Sequence, residues 1–358
     1  MRIVDVQIAS RAYPIFIGPG ARNQLSGVLQ RINGVSRVVV IADEGVAAHL
    51  DALRGAIDGE PLVLTFPSGE SSKSLAVAAT LYDALADAHI GRRDIIVTFG
   101  GGVAGDLGGF VAATWQRGLR YVQIPTTLEA AIDASVGGKT AINHGSGKNL
   151  VGAFHQPFAV IVDTDFLATL PARDFSAGLA ESIKHAVVRD PHFLTWQEQH
   201  ATAVLAREPA ACIELIAKNC AIKAEIVARD EREENLRAIL NHGHTIGHAI
   251  EHLLGYELRH GECVGLGMLA ENDIAVSRGI LPRGVAERIE TLIQRCGLPT
   301  RLPRPLAGDK VLAASRMDKK NRGSAIFAVL ISGIGQPALV GDISEAEIQA
   351  GLTRILPR

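Results

Sequence analysis

The sequence predicts an α/β domain over residues 1–170 and a mainly α-helical domain over residues 171–358. In the first part, β-branched runs end in polar or glycine-rich turns and alternate with alanine-rich amphipathic stretches. This alternation is typical of a mostly parallel sheet flanked by helices. After LPARDF (170–175), helical periodicity replaces the strand pattern. A chain of 358 residues is long enough for two separate cores.

The predicted elements follow in order. The N-terminal MRIVDVQIAS alternates like a strand and lacks the apolar segment of a signal peptide. Further predicted strands are RVVVIADE (37–44), PLVLTF (61–66), DIIVTFGGG (94–102), LRYVQIPTT (119–127) and FAVIVDTD (158–165), and SLAVAATLYDALADAHI (74–90) is a predicted helix. Later helices are expected in SAGLAESIKHAVV, HATAVLAREPAACIELIAKNCAIKAEIVARDERE and AERIETLIQRCG, and AIFAVLISGIG (325–335) is predicted as a hairpin arm.

The composition is that of an ordinary soluble globular protein, with 47% hydrophobic and 21% charged residues. A net charge of −2 with only two Trp and four Tyr argues against a nucleic-acid partner. No apolar run approaches the roughly 20 residues that span a bilayer. The four cysteines (Cys212, Cys220, Cys263 and Cys296) lack zinc-knuckle spacing, which favours reduced structural thiols and a cytoplasmic location.

A glycine-rich turn follows a strong predicted strand in FGGGVAGDLGGF (99–110). Gly100, Gly102 and Gly105 satisfy G-x-G-x-x-G between a strand and a helix, which predicts a Rossmann-like dinucleotide site; a purely structural tight turn is the alternative. Two features depart from the standard pattern: the strand is the third of the predicted strong runs, and Asp106 would repel phosphate unless it faces a ribose or an amide. Asp43, at the end of another strand, could accept a ribose hydroxyl.

A second glycine-rich segment, DASVGGKTAINHGSGKN (133–149), resembles a P-loop but holds Asp133 where that motif needs glycine. Nucleotide hydrolysis is therefore not predicted. The segment is predicted to form a polar loop. Lys139, Lys148 and Asn149 would suit an anionic ligand, and a solvated surface loop is the alternative. Because ligands gather beyond the carboxyl ends of strands in open α/β sheets, a catalytic cleft between the two halves is expected.

Five of the 12 histidines fall in NHGHTIGHAIEHLLGYELRHGE (241–262), at positions 242, 244, 248, 252 and 260. On a helix, His244 and His248 share one face with Glu251 or His252, and an H-x-x-x-H pair can bind a transition metal. The zincin motif is excluded because Thr245 stands where its glutamate would be. A polar helix without metal is the alternative.

The third ligand of such a site must come from outside this helix. The candidates are His260, in the turn RHGE, and Glu181, in GLAESIKHAV. Glu181, Lys184 and His185 lie at i, i+3 and i+4, so an acid and a cation share one helical face. The spacing alone predicts a His/His/Glu site without deciding which of the histidines bind.

In this order, the glycine loop, GGKTAIN…GKN, the AES-IKH helix and NHGHTIGH…HGE resemble the 3-dehydroquinate synthase family, from about Asp43 to about Lys320. The resemblance implies a Rossmann-like NAD-binding α/β domain followed by a helical domain that binds Zn²⁺ or Co²⁺, in a cytoplasmic homodimer. It also implies conversion of 3-deoxy-D-arabino-heptulosonate 7-phosphate to 3-dehydroquinate and phosphate. The implied steps are transient oxidation by NAD, phosphate elimination, reduction and aldol closure.

The resemblance assigns site residues by matching positions. The implied metal ligands are Glu181, His244 and His260, which leaves a coordination position open for the substrate. The implied NAD contacts are Asp43, Ser68, Gly69, Glu70, Ser71, Ser72, Lys73, Gly102, Val103, Ala104, Gly105, Asp106, Thr126, Thr127, Lys139, Lys148, Phe166, Leu167, Ala168 and Thr169. The implied substrate and catalytic residues are Asp133, Lys139, Asn149, Lys184, Lys223, Arg237, Asn241, His248, and Lys319 or Lys320; Arg117 matches a residue that reaches the partner subunit's site.

Three other functions compete with this interpretation. Another sugar phosphate cyclase would keep the NAD and metal residues but alter the substrate contacts. A metal-dependent alcohol dehydrogenase of the glycerol dehydrogenase type would release NADH and has no use for the lysine-containing loop. A non-catalytic binding protein would hold zinc and NAD without turnover. One departure from the family pattern, Glu129 in place of an apolar residue, lies close to that loop in sequence.

Overall fold

The computed structural model describes residues 1–9, 11–316 and 326–357, so the predicted substrate lysines Lys319 and Lys320 lie outside the described residues. The chain divides into two compact units, Met1–Leu170 with Pro209–Arg232, and Pro171–Glu208 with Glu233–Arg358. The first division point coincides with the expected boundary. The segment 209–232, which was expected in the second domain, clusters with the first unit.

The first unit is built on a twisted, mostly parallel sheet. The strands of the chain are β1 (Arg2–Gln7), β2 (Ala12–Gly18), β3 (Val38–Asp43), β4 (Leu62–Phe66), β5 (Ile95–Gly100), β6 (Arg120–Pro125), β7 (Lys139–His144), β8 (Gly147–Phe154), β9 (Ala159–Asp163), β10 (Ala328–Ile331) and β11 (Pro337–Val340). Within the described residues, seven of them form one sheet in the order β1-β2-β9-β6-β5-β3-β4, in which the β1–β2 pair is antiparallel.

The helices are α1 (Gln24–Gln30), α2 (Leu50–Arg54), α3 (Leu75–Asp87), α4 (Gly102–Thr114), α5 (Ala172–Arg189), α6 (Pro191–Leu205), α7 (Pro209–Arg229), α8 (His244–Leu253), α9 (His260–Ser277), α10 (Arg283–Arg295), α11 (Gly308–Arg316) and α12 (Glu345–Arg354). The predicted fold class, an α/β unit followed by a mainly helical unit, is confirmed. Among the described helices, none combines the length and the apolar character that crossing a bilayer requires.

The central strands are buried on both faces, as the continuous β-branched runs predict. On β3, Val39 and Ile41 pack into the hydrophobic cluster on one face, while Val40 and Ala42 pack into the cluster on the other. Helix α3 begins at the capping residue Ser74, whose side chain accepts the Val77 N–H. The sheet is therefore a rigid platform whose carboxyl edge can present functional groups.

The strand order reverses at β3: β4 pairs in parallel with one edge of β3, and the next strand, β5, pairs in parallel with its other edge. Ligands of open α/β sheets bind outside the strand ends at such a switch point. The glycine-rich turn lies there, at the end of β5, which is the fifth strand of the chain rather than the third. The count of strong runs left out β1, which was predicted from its alternation, and the sequence analysis missed β2, which lies between β1 at the edge of the sheet and β9.

The predicted polar loop is wrong over much of its length, since β7 and β8 form an antiparallel hairpin in which Lys139 faces Phe154. The buried positions Thr140, Ala141 and Ile142 explain why this segment is a strand. In the second unit, the predicted hairpin arm is confirmed, because β10 pairs with β11 in antiparallel register.

Candidate active site: a glycine turn and a histidine–carboxylate cluster

The glycine turn at the end of β5 has room for no side chain at its first position. Gly100 has φ +149°, and a Cβ there would lie 2.7 Å from the Ala104 Cβ and 2.9 Å from the Asp43 Cβ. At Gly105, an added Cβ would lie 2.0 Å from Nε2 of Gln123 on β6, so this glycine lets α4 pack closely on the sheet. The glycines leave the backbone N–H groups at the N-terminus of the 13-residue helix α4 accessible, and such groups can bind a pyrophosphate.

We expect Gly100→Ala to weaken NAD binding and to destabilise the fold. The new Cβ would meet two neighbours and force a non-glycine residue into a backbone region that typically costs about 1–3 kcal/mol. Urea denaturation and calorimetric titration with NAD⁺ measure the two effects. Gly91→Ala is the control, because a Cβ at Gly91 meets nothing within 4 Å. Unchanged stability and NAD affinity in the Gly100 variant would contradict the assignment of the turn.

Asp43 occupies the position expected of a ribose acceptor, at the end of β3. Its Oδ1 accepts the Gly45 N–H at 2.7 Å and the hydroxyl of Ser68. Gly45 also donates to the Ser68 hydroxyl at 2.8 Å. Asp43 and the loop that begins at Ser68 are thus bound to each other beside Gly100.

The acid in the glycine loop, Asp106, forms an ion pair with Lys73, which is 5% exposed. Burial opposes the charge on Lys73, but the carboxylates of Asp106 and Glu70 outweigh it and raise the pKa of this lysine. From the sequence, Asp106 was expected to face a ribose or an amide if a phosphate binds nearby. The structure instead supplies a cation from the loop 68–73, which offsets the repulsion that this acid would exert on a phosphate.

Asn143 on β7 binds this loop to the hairpin. Its backbone N–H donates to the Lys73 carbonyl at 2.7 Å, and its Nδ2 donates to Oε1 of Glu70 at 2.8 Å. Its Oδ1 accepts the backbone N–H of Asn149 at 2.9 Å. Asn149 has φ +54°, so the contact holds this predicted substrate residue in a left-handed conformation. The sequence analysis assigned no role to Asn143, although it is the last residue of GGKTAIN.

The other predicted residues of the first unit have varied environments. Lys139 and Asn149 are exposed, and Lys148 is half-buried with Nζ 3.7 Å from Oε1 of Glu70. Arg117 is exposed in a turn with φ +67°. Thr126 is buried and its N–H donates to the Gly100 carbonyl at 2.9 Å, whereas Thr127 is half-buried.

The FLAT segment (166–169) is only partly available to a ligand. Phe166 and Leu167 are buried, and the Phe166 ring packs edge-on against Phe99 with centroids 5.1 Å apart. Ala168 and Thr169 are exposed, and the Thr169 hydroxyl is 2.7 Å from Nε2 of His49. Two of the four side chains therefore belong to the core.

The half-buried Asp133 and the buried Lys223 form an ion pair in the first unit. A π-helical turn over Ala130–Ala134 carries Asp133, and α7 carries Lys223. The Lys223 ammonium lies 2.5 Å from Oδ1 of Asp133 and donates to its backbone carbonyl at 2.6 Å. π-turns often occur at functional sites. The ion pair fixes the ammonium group of a lysine that is 5% exposed.

The second unit brings Glu181, His244 and His260 together. Oε1 of Glu181 lies 3.5 Å from Nε2 of His244 and 3.4 Å from Nε2 of His260. Glu181 is 1% exposed on α5, whereas the two histidines are the first residues of α8 and α9. One carboxylate oxygen and two imidazole nitrogens thus converge, as a three-ligand transition-metal site requires.

Two neighbours complete the histidine cluster. The ligand atoms of His244, His248 and His260 all lie within 4.8 Å of one another. Nδ1 of His260, the ring nitrogen that does not face Glu181, lies 3.2 Å from Oε2 of Glu251. A carboxylate in that position fixes the tautomer and orientation of a metal-ligating histidine. His252, its alternative on the helical face, is exposed.

The electrostatics of the cluster favour a neutral imidazole at His244. Burial, followed by the positive charge of Lys184, holds the pKa of His244 well below its usual value. A neutral imidazole is the form that binds metals. Lys184 itself is buried and forms an ion pair with Glu181, one turn before it on α5.

The remaining predicted residues of this unit lie in the short turn Leu236–Asn241. Arg237 is 1% exposed. Asn241 donates from Nδ2 to Oε1 of Glu233 at 3.1 Å. Sequence reasoning missed Glu233, whose only signal was its place in an acidic run just before Arg237.

Glycines set the spacing of the helices that carry the cluster. A Cβ at Gly261 would lie 1.9 Å from the carbonyl oxygen of Ala177 on α5. A Cβ at Gly267 would lie 1.9 Å from the carbonyl oxygen of Gly243, and one at Gly247 would lie 2.9 Å from that of Cys263. Helices α5, α8 and α9 therefore approach backbone to backbone, which draws Glu181, His244 and His260 into contact range.

Two family models match consecutive parts of this chain. Residues 63–177 match the 3-dehydroquinate synthase N-terminal model, and residues 178–321 match the 3-dehydroquinate synthase C-terminal model. The 3-dehydroquinate synthase of Halorhodospira halophila is 45% identical over 347 residues, which cover 96% of this chain and 97% of that protein.

Solved structures with similar folds belong to related enzymes. A 2-deoxy-scyllo-inosose synthase complexed with carbaglucose-6-phosphate, NAD⁺ and Co²⁺ superposes with a TM-score of 0.90 at 25% identity, covering 99% of this chain and 100% of the other. The 2-epi-5-epi-valiolone synthase of Streptomyces hygroscopicus, with NAD⁺ and Zn²⁺ bound, gives 0.88 at 28% identity, covering 99% of both chains. The family models and the full-length relative confirm the family predicted from the motifs, and this chain belongs to the 3-dehydroquinate synthase family.

Proposed function

We propose that this protein is a 3-dehydroquinate synthase that converts 3-deoxy-D-arabino-heptulosonate 7-phosphate to 3-dehydroquinate and phosphate, with NAD and Zn²⁺ or Co²⁺ as cofactors. The observation that carries the proposal is the convergence of Glu181, His244 and His260 in a chain that is 45% identical to such an enzyme over nearly its whole length. The glycine turn of the first unit supports the NAD assignment.

The donor set fits a divalent cation. A buried carboxylate and two imidazoles are ligands typical of Zn²⁺ in catalytic sites, where a fourth position stays open. The depressed pKa of His244 keeps its nitrogen available as a ligand at neutral pH. We therefore assign Glu181, His244 and His260 as the protein ligands and Glu251 as the partner that orients His260.

The nucleotide would be held by the first unit. We assign the pyrophosphate to the backbone of 100–105 and the N-terminus of α4, and a ribose to Asp43. When bound, NAD supplies a transient hydride acceptor for the substrate carbinol, and the divalent cation supplies a Lewis acid for its oxygen.

Cationic side chains of this chain would bind the two substrate anions, a carboxylate and a phosphate. In the first unit, Lys139 presents an exposed ammonium, and the ammonium of Lys223 is oriented by Asp133. In the second unit, Arg237 presents a buried guanidinium, which is suited to bidentate binding of an anion. We assign Asn149, Lys184 and Asn241 to the same task of orientation.

His248 would hold or transfer a proton. It is exposed, in contrast to His244, and its ring centroid lies 5.0 Å from that of His244 and 5.6 Å from that of His260. An accessible imidazole is a group that can exchange protons with a bound substrate. We propose this role for His248 rather than that of a fourth ligand.

The degree of identity favours 3-dehydroquinate synthase over other cyclases. Relatives with that name are 41–45% identical to this chain, whereas the inosose and valiolone synthases are 25% and 28% identical. A probable glycerol dehydrogenase of Sinorhizobium meliloti is similar in fold alone, with a TM-score of 0.61 at 19% identity.

The decisive experiment is to incubate the zinc-loaded protein with the heptulosonate phosphate and a catalytic amount of NAD⁺. We expect phosphate and 3-dehydroquinate to form in equal amounts, with no net accumulation of NADH. Glucose 6-phosphate is the control substrate, because carbaglucose-6-phosphate is the ligand of the related inosose synthase. Turnover of glucose 6-phosphate instead, or stoichiometric NADH release, would contradict the proposal.

We further propose a cytoplasmic homodimer in which Arg117 reaches the partner's site. The support is the family resemblance together with the exposure of Arg117 in a turn.

A further inference from the structure

We infer that Glu271 is a positioning residue of the metal centre, which holds the first turn of α8 and thereby the ligand His244. The inference rests on the metal ligands assigned under the proposed function. Glu271 lies on α9 and is fully buried. Its carboxylate accepts three backbone N–H groups at the start of α8, from Gly243 at 2.6 Å, Thr245 at 3.1 Å and Ile246 at 3.3 Å.

The start of α8 needs an acceptor from outside the helix. The first N–H groups of a helix have no partner within it and are usually satisfied by the side chain of the capping residue. Here the capping residue is Gly243, which has φ +80° and no side chain. A Cβ at Gly243 would lie 2.6 Å from Cγ of Met268, so a conventional cap is sterically excluded. Glu271 supplies the missing acceptor.

The carboxylate also matches the charge at this end of the helix. The N-terminus of a helix carries a partial positive charge, and a buried carboxylate is stabilised there by several N–H donors. The imidazole of His242 lies beside it, with Nδ1 3.5 Å from Oε2 of Glu271, and donates to the Val329 carbonyl at 2.7 Å. Both carboxylate oxygens therefore have donors within the second unit.

This contact joins the two helices that present the histidine ligands. His244 is the first residue of α8, so the turn that Glu271 holds also sets the position of this imidazole. His260 is the first residue of α9, and Glu271 lies roughly three helical turns further along the same helix. The carboxylate thus sets the offset of His244 from His260, while Glu181 approaches both rings from α5.

The charge-neutral variant Glu271→Gln tests this role. A glutamine side chain has one carbonyl oxygen, and its amide group would face N–H donors instead of accepting from them. We expect a folded apoprotein whose zinc affinity, measured by chelator competition, falls about 10–100-fold, the loss typical of residues that orient metal ligands. With Co²⁺ alone as the probe metal, we expect the visible absorption bands to shift, because the ligand geometry changes.

Asp273→Asn is the matched control, since it removes a carboxylate from the same helix two residues further on, and zinc affinity should stay at the wild-type value. Wild-type zinc affinity and an unchanged Co²⁺ spectrum in folded Glu271→Gln would overturn the inference. Should Glu271→Gln fail to fold, Glu271→Asp is tested instead. This variant keeps the carboxylate, but its side chain is shorter by one methylene group, so the carboxylate lies further from the N–H groups of α8. Reduced zinc affinity in the folded Asp variant supports the inference, and wild-type affinity overturns it.

Failure of both variants to fold would also overturn the inference, since Glu271 would then support the whole unit rather than the metal centre. Failure of the wild-type protein to bind zinc would refute the proposed ligands themselves. The two failures are therefore distinguishable in one set of titrations.

Discussion

Replacing His260 by alanine is expected to abolish phosphate release and to lower the zinc that stays bound after dialysis. His260 lies 3.4 Å from Oε1 of Glu181 through Nε2 and 3.2 Å from Oε2 of Glu251 through Nδ1. Its loss removes one of the three proposed ligands, and we expect zinc affinity to fall by more than the ~10–100-fold that orienting residues cost. Phosphate release and metal content are measured on the same preparation.

The fold should survive this change, because His260 is only partly buried and begins its helix. His252→Ala is the matched control, since it removes an exposed imidazole from α8 and should leave both readouts intact. Full activity of the His260 variant after metal depletion would refute the role of His260 as a ligand.

Replacing Lys139 by alanine is expected to lower turnover on the order of 10²- to 10³-fold, the loss typical when one electrostatic contact to developing charge is removed. Lys139 is exposed at the start of β7, so its side chain contributes little to the core. Far-UV circular dichroism should therefore match that of the wild-type protein. The measurement is phosphate release at saturating heptulosonate phosphate and NAD⁺.

Lys218→Ala serves as the control, because Lys218 is a surface lysine on α7 outside the predicted site and its ammonium lies 3.7 Å from Glu214. Its turnover should not change. Normal phosphate release in the Lys139 variant would show that the assignment of a substrate anion to this lysine is wrong.

Local pattern was enough to predict the sheet and most of the helices. The β-branched run that ends in Asp43 predicted a buried strand, and the alanine-rich stretch after Ser74 predicted an amphipathic helix; both are observed. The hairpin β7–β8 was not predicted because polar residues such as Lys139, Asn143 and Asn149 interrupt its strands, so neither shows a β-branched run. Its stability comes from pairing and from contacts such as that between Asn143 and Glu70, which no periodicity reveals.

In the histidine-rich segment, too, the local pattern does not reveal contacts between residues that are distant in the sequence. Spacing predicted a metal cluster but treated the five histidines alike. Distance separates them: His244 and His260 approach Glu181, whereas His242 is buried against Val329. Glu271 could not be predicted, because its partners lie 25 to 28 residues away in the chain and are backbone groups.

The close contacts at Gly243, Gly247, Gly261 and Gly267 have a consequence for how such an enzyme can change over time. None of these residues has a functional group, yet each allows one helical backbone to lie close to the next because it has no side chain. A single methyl group at any of them would push the helices apart and separate the imidazoles from the acid that completes the cluster. The geometry of the cluster thus depends on four residues that have no side chain. A search for reactive side chains would not find these positions.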